Sequence, residues 1–298
     1  MWLFKATKLY GQERNTDYEL RTAFEEARNR STVTPCDRDL LRSPFGRYLY
    51  AVNLYGRLRW GEAACSAISD HFGLGSHRTY PKQPLFFITV VDRASATPDD
   101  ATEVDIPGFK TILRKGLTGL SYVGQIEPGL YTNVAQGTYF SGKRMVSWHF
   151  HGLVWGATAA DLKSRFSALE SAGTYRPIAD GLRGAHYRRI PKNQLPDKIR
   201  YMLKAPRKSY RIGKGKHEKI TADGEVISRF IQNKRDLRSG ERIVLFNLMK
   251  DMYLDQLVMG GGEGADILRR AKRRALRDLP KKHRSNPIPV NPISFRRR

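Results

Sequence analysis

The run Met145-Val146-Ser147-Trp148-His149-Phe150-His151-Gly152-Leu153-Val154 reads as a buried β-strand with two histidines set among apolar residues. Successive side chains on a strand point to opposite faces. His149 and His151 therefore share one face, about 7 Å apart along the strand, while Phe150 points the other way into a core. Two imidazoles side by side on a sheet, backed by an aromatic wedge, suit a divalent metal. The competing reading is a pair of surface or hydrogen-bonded histidines with no ligand.

Further along lies Ile199-Arg200-Tyr201-Met202-Leu203-Lys204-Ala205-Pro206. Ile199, Met202 and Leu203 fall at i, i+3 and i+4, the pattern of a short amphipathic helix. Pro196 suits its first turn and Pro206 ends it, which places a helix over 194–205. Lys198, Tyr201 and Lys204 are three apart and share its polar face. A phenol held between two ammonium groups is placed to meet a phosphate, and nearby cations favour the phenolate. Tyr-x-x-Lys alone is common on solvated helix faces. Its meaning here comes from its order and spacing after the histidine strand.

Around these two segments the pattern alternates. Strands are expected over 85–92, 120–127, 144–155 and 183–190, with helices over 158–171 and 194–205. Thr158 and Asp161 are placed to cap the first helix, Leu162, Phe166 and Leu169 form its buried stripe, and Gly173 follows its end. The stretch 93–119 is polar, with a short helix near Thr111-Ile112-Leu113. A large helix packed on an antiparallel sheet gives a two-layer α+β domain over 81–215. Residues 1–80 read as a helical N-terminal region, with a capping box at Thr16-Asp17-Tyr18-Glu19. Its apolar stripes are Leu20, Phe24 and Ala27, then Ala64, Ile68 and Phe72. Residues 216–298 read as a basic helical C-terminal region. The segment entering it, Gly213-Lys214-Gly215-Lys216, reads as a flexible loop. Phe246, Met249, Tyr253 and Leu257 line one face of a helix stopping at Gly260-Gly261-Gly262. Arg269 to Arg277 forms a basic helix. The Pro- and Arg-rich tail Lys281 to Arg298 reads as a sequence-blind DNA clamp or a disordered solubilising end.

His149-Phe150-His151 followed by Tyr201-Met202-Leu203-Lys204 resembles the HUH endonuclease superfamily of rolling-circle replication initiators, relaxases and related transposases. The single tyrosine is most similar to the replication-initiator (Rep) branch. The resemblance covers roughly residues 81 to 215, and Phe86-Phe87-Ile88-Thr89-Val90-Val91 matches the first of three family motifs. It implies an antiparallel sheet with the metal on one face and helices on the other. It also implies an acidic third ligand on the strand before the histidines, where Glu127 stands. Glu127, His149 and His151 would then hold one divalent cation, Mg²⁺ or Mn²⁺, with Zn²⁺ not excluded. Tyr201 would be the nucleophile and Lys204 its electrostatic partner, forming a 5′-phosphotyrosine adduct on single-stranded DNA at an origin. Lys198, Arg188, Arg189 and Lys192 are the candidate DNA-backbone contacts. Tyr187 and Tyr210 are rival nucleophiles, His186 is a possible extra ligand, and Trp148 or Trp155 could stack a flipped base. A transposase or mobilisation relaxase would use the same chemistry; a non-enzymatic nucleic-acid binder would use none of it. A three-histidine cluster typical of relaxases is missing, which favours Rep.

The charge agrees with a polyanionic partner: 53 Lys and Arg against 29 Asp and Glu, a formal +24. A ribosomal-type or membrane-surface protein would share that excess. The longest apolar run, Leu85 to Val91, is too short to span a bilayer. Met1 to Phe4 is too short for a secretory signal. Cys36 and Cys65 give neither a disulfide framework nor zinc spacing, which fits a reducing, cytoplasmic, DNA-associated setting. No Gly-x4-Gly-Lys-[Ser/Thr] loop occurs, so unwinding and synthesis are expected from a host helicase and polymerase.

Overall fold

The structure, a computed structural model, describes residues 2–27, 33–42, 49–74, 84–132, 134, 142–179, 182–214, 219–220, 226–227 and 230–277. The chain opens with α1 (Trp2–Glu26), α2 (Pro35–Arg42) and α3 (Leu54–His71). β1 (Phe86–Pro98), α4 (Ile106–Leu117), β2 (Ser121–Thr132) and β3 (Met145–Trp155) follow. Next come α5 (Ala159–Ser171), β4 (Ala185–Arg189), a 3-10 turn at Lys192–Gln194, α6 (Leu195–Leu203) and β5 (Lys208–Lys214). β6 (Lys219–Ile220) and β7 (Val226–Ile227) pair only with each other. β8 (Phe230–Asp236), α7 (Ser239–Met249), a 3-10 turn at Leu254–Gln256, β9 (Val258–Gly261) and α8 (Glu263–Arg277) complete the order.

The central sheet runs β4-β1-β3-β2-β5-β8, with β9 also on β2. β3 is buried along its whole length between β1 and β2. That position explains its near-continuous apolar character, since both faces are covered. Phe150 lies over a glycine pair: Gly124 and Gly152 are directly opposite each other, and a Cβ at either would run into the Phe150 ring. Full burial of a phenylalanine contributes about 1.5–3 kcal/mol, and Phe150 is fully buried.

The expected α+β class holds, with two differences in the sheet. β5 pairs with β2 in parallel, at Leu130 with Ser209 through Thr132 with Arg211, so the sheet is mixed rather than antiparallel. The strand directions account for it: β4 pairs antiparallel with β1 and so runs opposite to β2, and the chain reverses through α6 before entering β5, which therefore runs with β2. The helices also cover both faces rather than one. Phe166 of α5 packs 6.0 Å from Tyr187, whose partner on β1 is Ile88. Tyr201 of α6 packs 5.8 Å from Phe87, the next residue face on β1.

Local capping follows the sequence closely around the site. Thr158 and Asp161 form the expected capping box on α5. Leu162 and Phe166 are buried, and Gly173 follows with φ +75°. The expected short helix near Thr111 is α4, started by the Asp105 carboxylate on the Gly108 amide at 2.7 Å.

Three expectations outside the centre are corrected. Thr16 caps nothing: α1 runs through it, and its hydroxyl donates to the Gln12 carbonyl one turn back. Phe246 to Leu257 is not one helix. α7 ends at Met249, and Val258–Gly261 becomes a strand because β2 offers it an open edge at Tyr122 to Gln125. Gly213 and Lys214 close β5 against β8 instead of forming a loop. Gly215, Lys216 and the tail 281–298 lie outside the described residues. Leu9 and Trp60, Val146 and Phe150, and Leu254 and Ile267 belong to one hydrophobic cluster, so all three compositional segments share a core. Among the described residues no helix is long and apolar enough to cross a membrane.

Candidate metal and tyrosine site

β2 and β3 bring the ligands together by register. Glu127 pairs directly with His149, and Gln125 with His151, so all four side chains stand on one face. Thr89 on β1 is opposite His151 on the other side. Glu127, His149 and His151 expose only 3%, 5% and 4% of their surface. The two Nε2 atoms converge on one carboxylate oxygen: His149 at 3.0 Å and His151 at 3.1 Å from Glu127 Oε1.

This donor set fits a cation. His149 Nδ1 lies 3.3 Å from the Ser147 carbonyl, which can only accept, so that nitrogen carries the proton. Nε2 then turns its lone pair toward a carboxylate oxygen, an opposition that a proton or a metal cation must resolve. Metal–ligand bonds of about 2.1 Å at right angles separate neighbouring ligand atoms by about 3 Å. His151 Nδ1 is held by the Thr89 hydroxyl at 2.9 Å. Outer partners of this kind fix ring orientation in metal sites. Burial pushes the His151 imidazole down to about 4, against the pull of Glu127, so its ring is neutral and free to ligate near pH 7. Burial alone would push the Glu127 carboxyl up; the Lys204 ammonium and the two imidazoles outweigh it and hold it well below the usual range. Among the described residues these three form a ligand group whose atoms lie within 4.8 Å of one another, and they can hold a metal ion.

Tyr201 stands beside this group with its ring 5.1 Å from that of His151 and 36% of its surface exposed. Lys204 Nζ links the two, 4.4 Å from the Tyr201 ring centroid and 3.3 Å from Glu127 Oε1. Lys204 is not on the helix face: α6 ends at Leu203, and Lys204 is extended at φ −65°, ψ 155°. That turn aims its side chain at Glu127. The expected lowering of the phenol is also corrected. Burial raises the Tyr201 hydroxyl above its ordinary value; Lys204 lowers it, Glu127 raises it a little further, and the net shift is upward. Lys198 sits 5.2 Å above Phe87 and 5.9 Å from the Tyr201 ring, on the same side of the site.

Strand alternation sorts the remaining candidates. Arg188 is opposite Phe87 and so projects on the metal face, with His186, opposite Thr89, beside it; both are exposed. Arg189 is opposite Phe86 and projects on the other face, so the two arginines do not act side by side. His186 is outside the ligand group. Lys192 starts the 3-10 turn before α6, and its side chain lies outside the described ones. Tyr187 packs against Phe86 and Phe166, away from the site. Trp148 is fully buried, and Trp155 packs on Phe72 and donates to Glu263 at 2.8 Å. Neither presents a face to a base. Tyr210 stacks on Tyr131 at 5.0 Å beside His149, and burial raises its hydroxyl far above the usual range. Thr89, Phe87 and Gln125 were not singled out from the sequence. The alternation Phe87-Thr89-Val91 places the first two on one face, but which strand they meet depends on register. No family model matches this sequence, and no curated protein or solved structure matches it either.

Proposed function

We propose that the protein nicks and rejoins single-stranded DNA through Tyr201, in the manner of an HUH replication initiator with an HUH-like nuclease sheet, and so starts rolling-circle replication. The observation that carries this reading is the triple juxtaposition of ligand group, Lys204 ammonium and partly exposed phenol described above. The packing of Tyr201 on Phe87 and His151 leaves its ring beside the Glu-His-His cluster, with the Lys204 ammonium between them. Bound Mg²⁺ or Mn²⁺ would supply Lewis acidity to the scissile phosphate. Lys198 and Arg188, on the same side of the sheet, hold the flanking backbone by charge.

In the cleavage step the Tyr201 oxygen loses its proton and forms a bond to phosphorus. The bond from phosphorus to the 3′ oxygen breaks, and that oxygen takes up a proton. The 5′ end remains as a phosphotyrosine ester and the 3′-hydroxyl is free to prime synthesis by a partner polymerase, with a helicase opening the duplex. Lys204 offsets the negative charge that builds on the phosphoryl oxygens. Attack by a later 3′-hydroxyl reverses the step without ATP.

The test is incubation of fluorescent single-stranded DNA from the protein's own replicon with Mn²⁺, followed by a denaturing gel. A shifted, protease-sensitive band is expected for the wild type and none for Tyr201→Phe, with DNA affinity changed less than about twofold. Equal behaviour of the two proteins sinks the enzyme reading.

A further inference from the structure

A buried ion pair lies outside the site but grips the chain on both sides of Lys204. Glu13 of α1 and Arg57 of α3 meet at 2.6 Å, with side chains 2% and 6% exposed. Arg57 Nη2 donates to the Leu203 carbonyl at 3.2 Å, and the Ala205 amide donates to Glu13 Oε1 at 2.8 Å. Those two groups belong to the peptide units immediately before and after the Lys204 Cα. The first unit is also held by the Lys204 amide on the Arg200 carbonyl at 3.1 Å. Arg57 Nη1 is anchored in turn on the Ala51 carbonyl at 2.9 Å. With both flanking peptide planes fixed, the direction of the Lys204 Cα–Cβ bond is fixed as well.

A hydrophobic pair would fill the same space more cheaply, because a buried ion pair gains little over apolar packing. What apolar side chains cannot do is bond a carbonyl on one side and an amide on the other. We propose that Glu13 and Arg57 are positioning residues for Lys204, setting its ammonium between Glu127 and the Tyr201 ring. The N-terminal helices are then part of the nicking machinery. This inference rests on the nicking reading of the site and deepens it.

The test is a double-mutant cycle in the full-length chain, pairing Arg57→Lys with Lys204→Ala. Lysine keeps the charge of residue 57 but cannot bond Glu13, Leu203 and Ala51 together. The variants are first checked for a wild-type melting profile. Should Arg57→Lys fail to fold, Glu13→Gln, which keeps the shape, replaces it. Arg57→Lys is expected to slow adduct formation tenfold or more with little change in KM for DNA. Combined with Lys204→Ala it should add no further loss. Losses that multiply, or wild-type cleavage by a folded Arg57→Lys, overturn the proposal.

Mn²⁺ affinity, read by titration without DNA, gives a second readout independent of cleavage. The Lys204 ammonium beside Glu127 opposes a dication, so Lys204→Ala should tighten Mn²⁺ severalfold. Arg57→Lys should shift affinity in the same direction, and the double variant no further. If Lys204→Ala tightens Mn²⁺ and Arg57→Lys leaves it unchanged, Lys204 is not held there by this pair and the proposal fails. A wild type that forms no adduct defeats the nicking reading, while the Mn²⁺ cycle still judges the clamp.

Discussion

Gly129 has no side chain because two rings occupy its space. A Cβ there would come within 3.0 Å of His149 Cε1 and 3.1 Å of Tyr210 Cε2. Neither ring can retreat far, since Tyr210 is stacked on Tyr131 and His149 is tied to Ser147 and Glu127. Gly129→Ala should therefore tilt His149 and weaken Mn²⁺ binding by about tenfold, the scale of orientation effects around metal ligands. Titration with Mn²⁺ checks this; an unchanged affinity would mean the His149 ring has room the contacts deny. At this scale much was legible. Strand alternation alone puts His149 and His151 on one face and Phe150 on the other, because the side-chain period of a strand is fixed. Glu127 came from resemblance, not from spacing. Thr89 was silent, because its role depends on β1 lying beside β3 in one particular register, and nothing local encodes that.

Elements are set by caps and by the edges left open to them. Glu241 in the first turn of α7 accepts from the Arg238 amide at 2.9 Å and pairs with Arg235 of β8. Burial pushes its carboxyl up, but the amide and the guanidinium outweigh that, so in the folded protein it lies below its ordinary value of 4.5. A depressed folded value means the contact stabilises above the unfolded value and is lost as pH falls through the folded one. Glu241→Gln should therefore lower Tm at neutral pH by roughly 2–4 °C, the effect of about 1 kcal/mol for one such cap. The gap from wild type should close as pH falls from the ordinary glutamate value of 4.5 through the lower folded value. Melting curves over that range test it, and a constant gap would show that the charge is not what matters. The capping box at Thr158 was readable because every atom in it lies within four residues. β9 was not. Val258-Met259-Gly260-Gly261 becomes a strand because β2 has a free edge there. Gly264 lets α8 begin against that edge, where a Cβ would overlap the Tyr122 carbonyl oxygen.

Over the whole molecule the excess of positive charge acts as a field. With 53 basic and 29 acidic residues, single-stranded DNA should be held largely by released counterions. Affinity should drop by roughly tenfold or more between about 50 and 200 mM salt if three or more phosphates are neutralised. Binding isotherms across that range check it, and a flat response would deny a phosphate-dominated interface. Arg274 with Asp70 and Lys272 with Asp255 tie part of the basic helix α8 to its neighbours, so not all of that charge is available to a partner. The amino-acid order by itself determined the histidine strand, the tyrosine helix and the sign of the chain's own net charge. Each depends on periodicity within a short window or on a sum over residues. Only the tertiary structure decided that Lys204 leaves its helix to meet Glu127 and that Arg188 and Arg189 part to opposite faces. It also decided that Glu13 and Arg57, far away in the chain, hold Leu203 and Ala205. Those outcomes come from strand register and from contacts between distant segments, where a shift of one residue would turn every side chain to the other face.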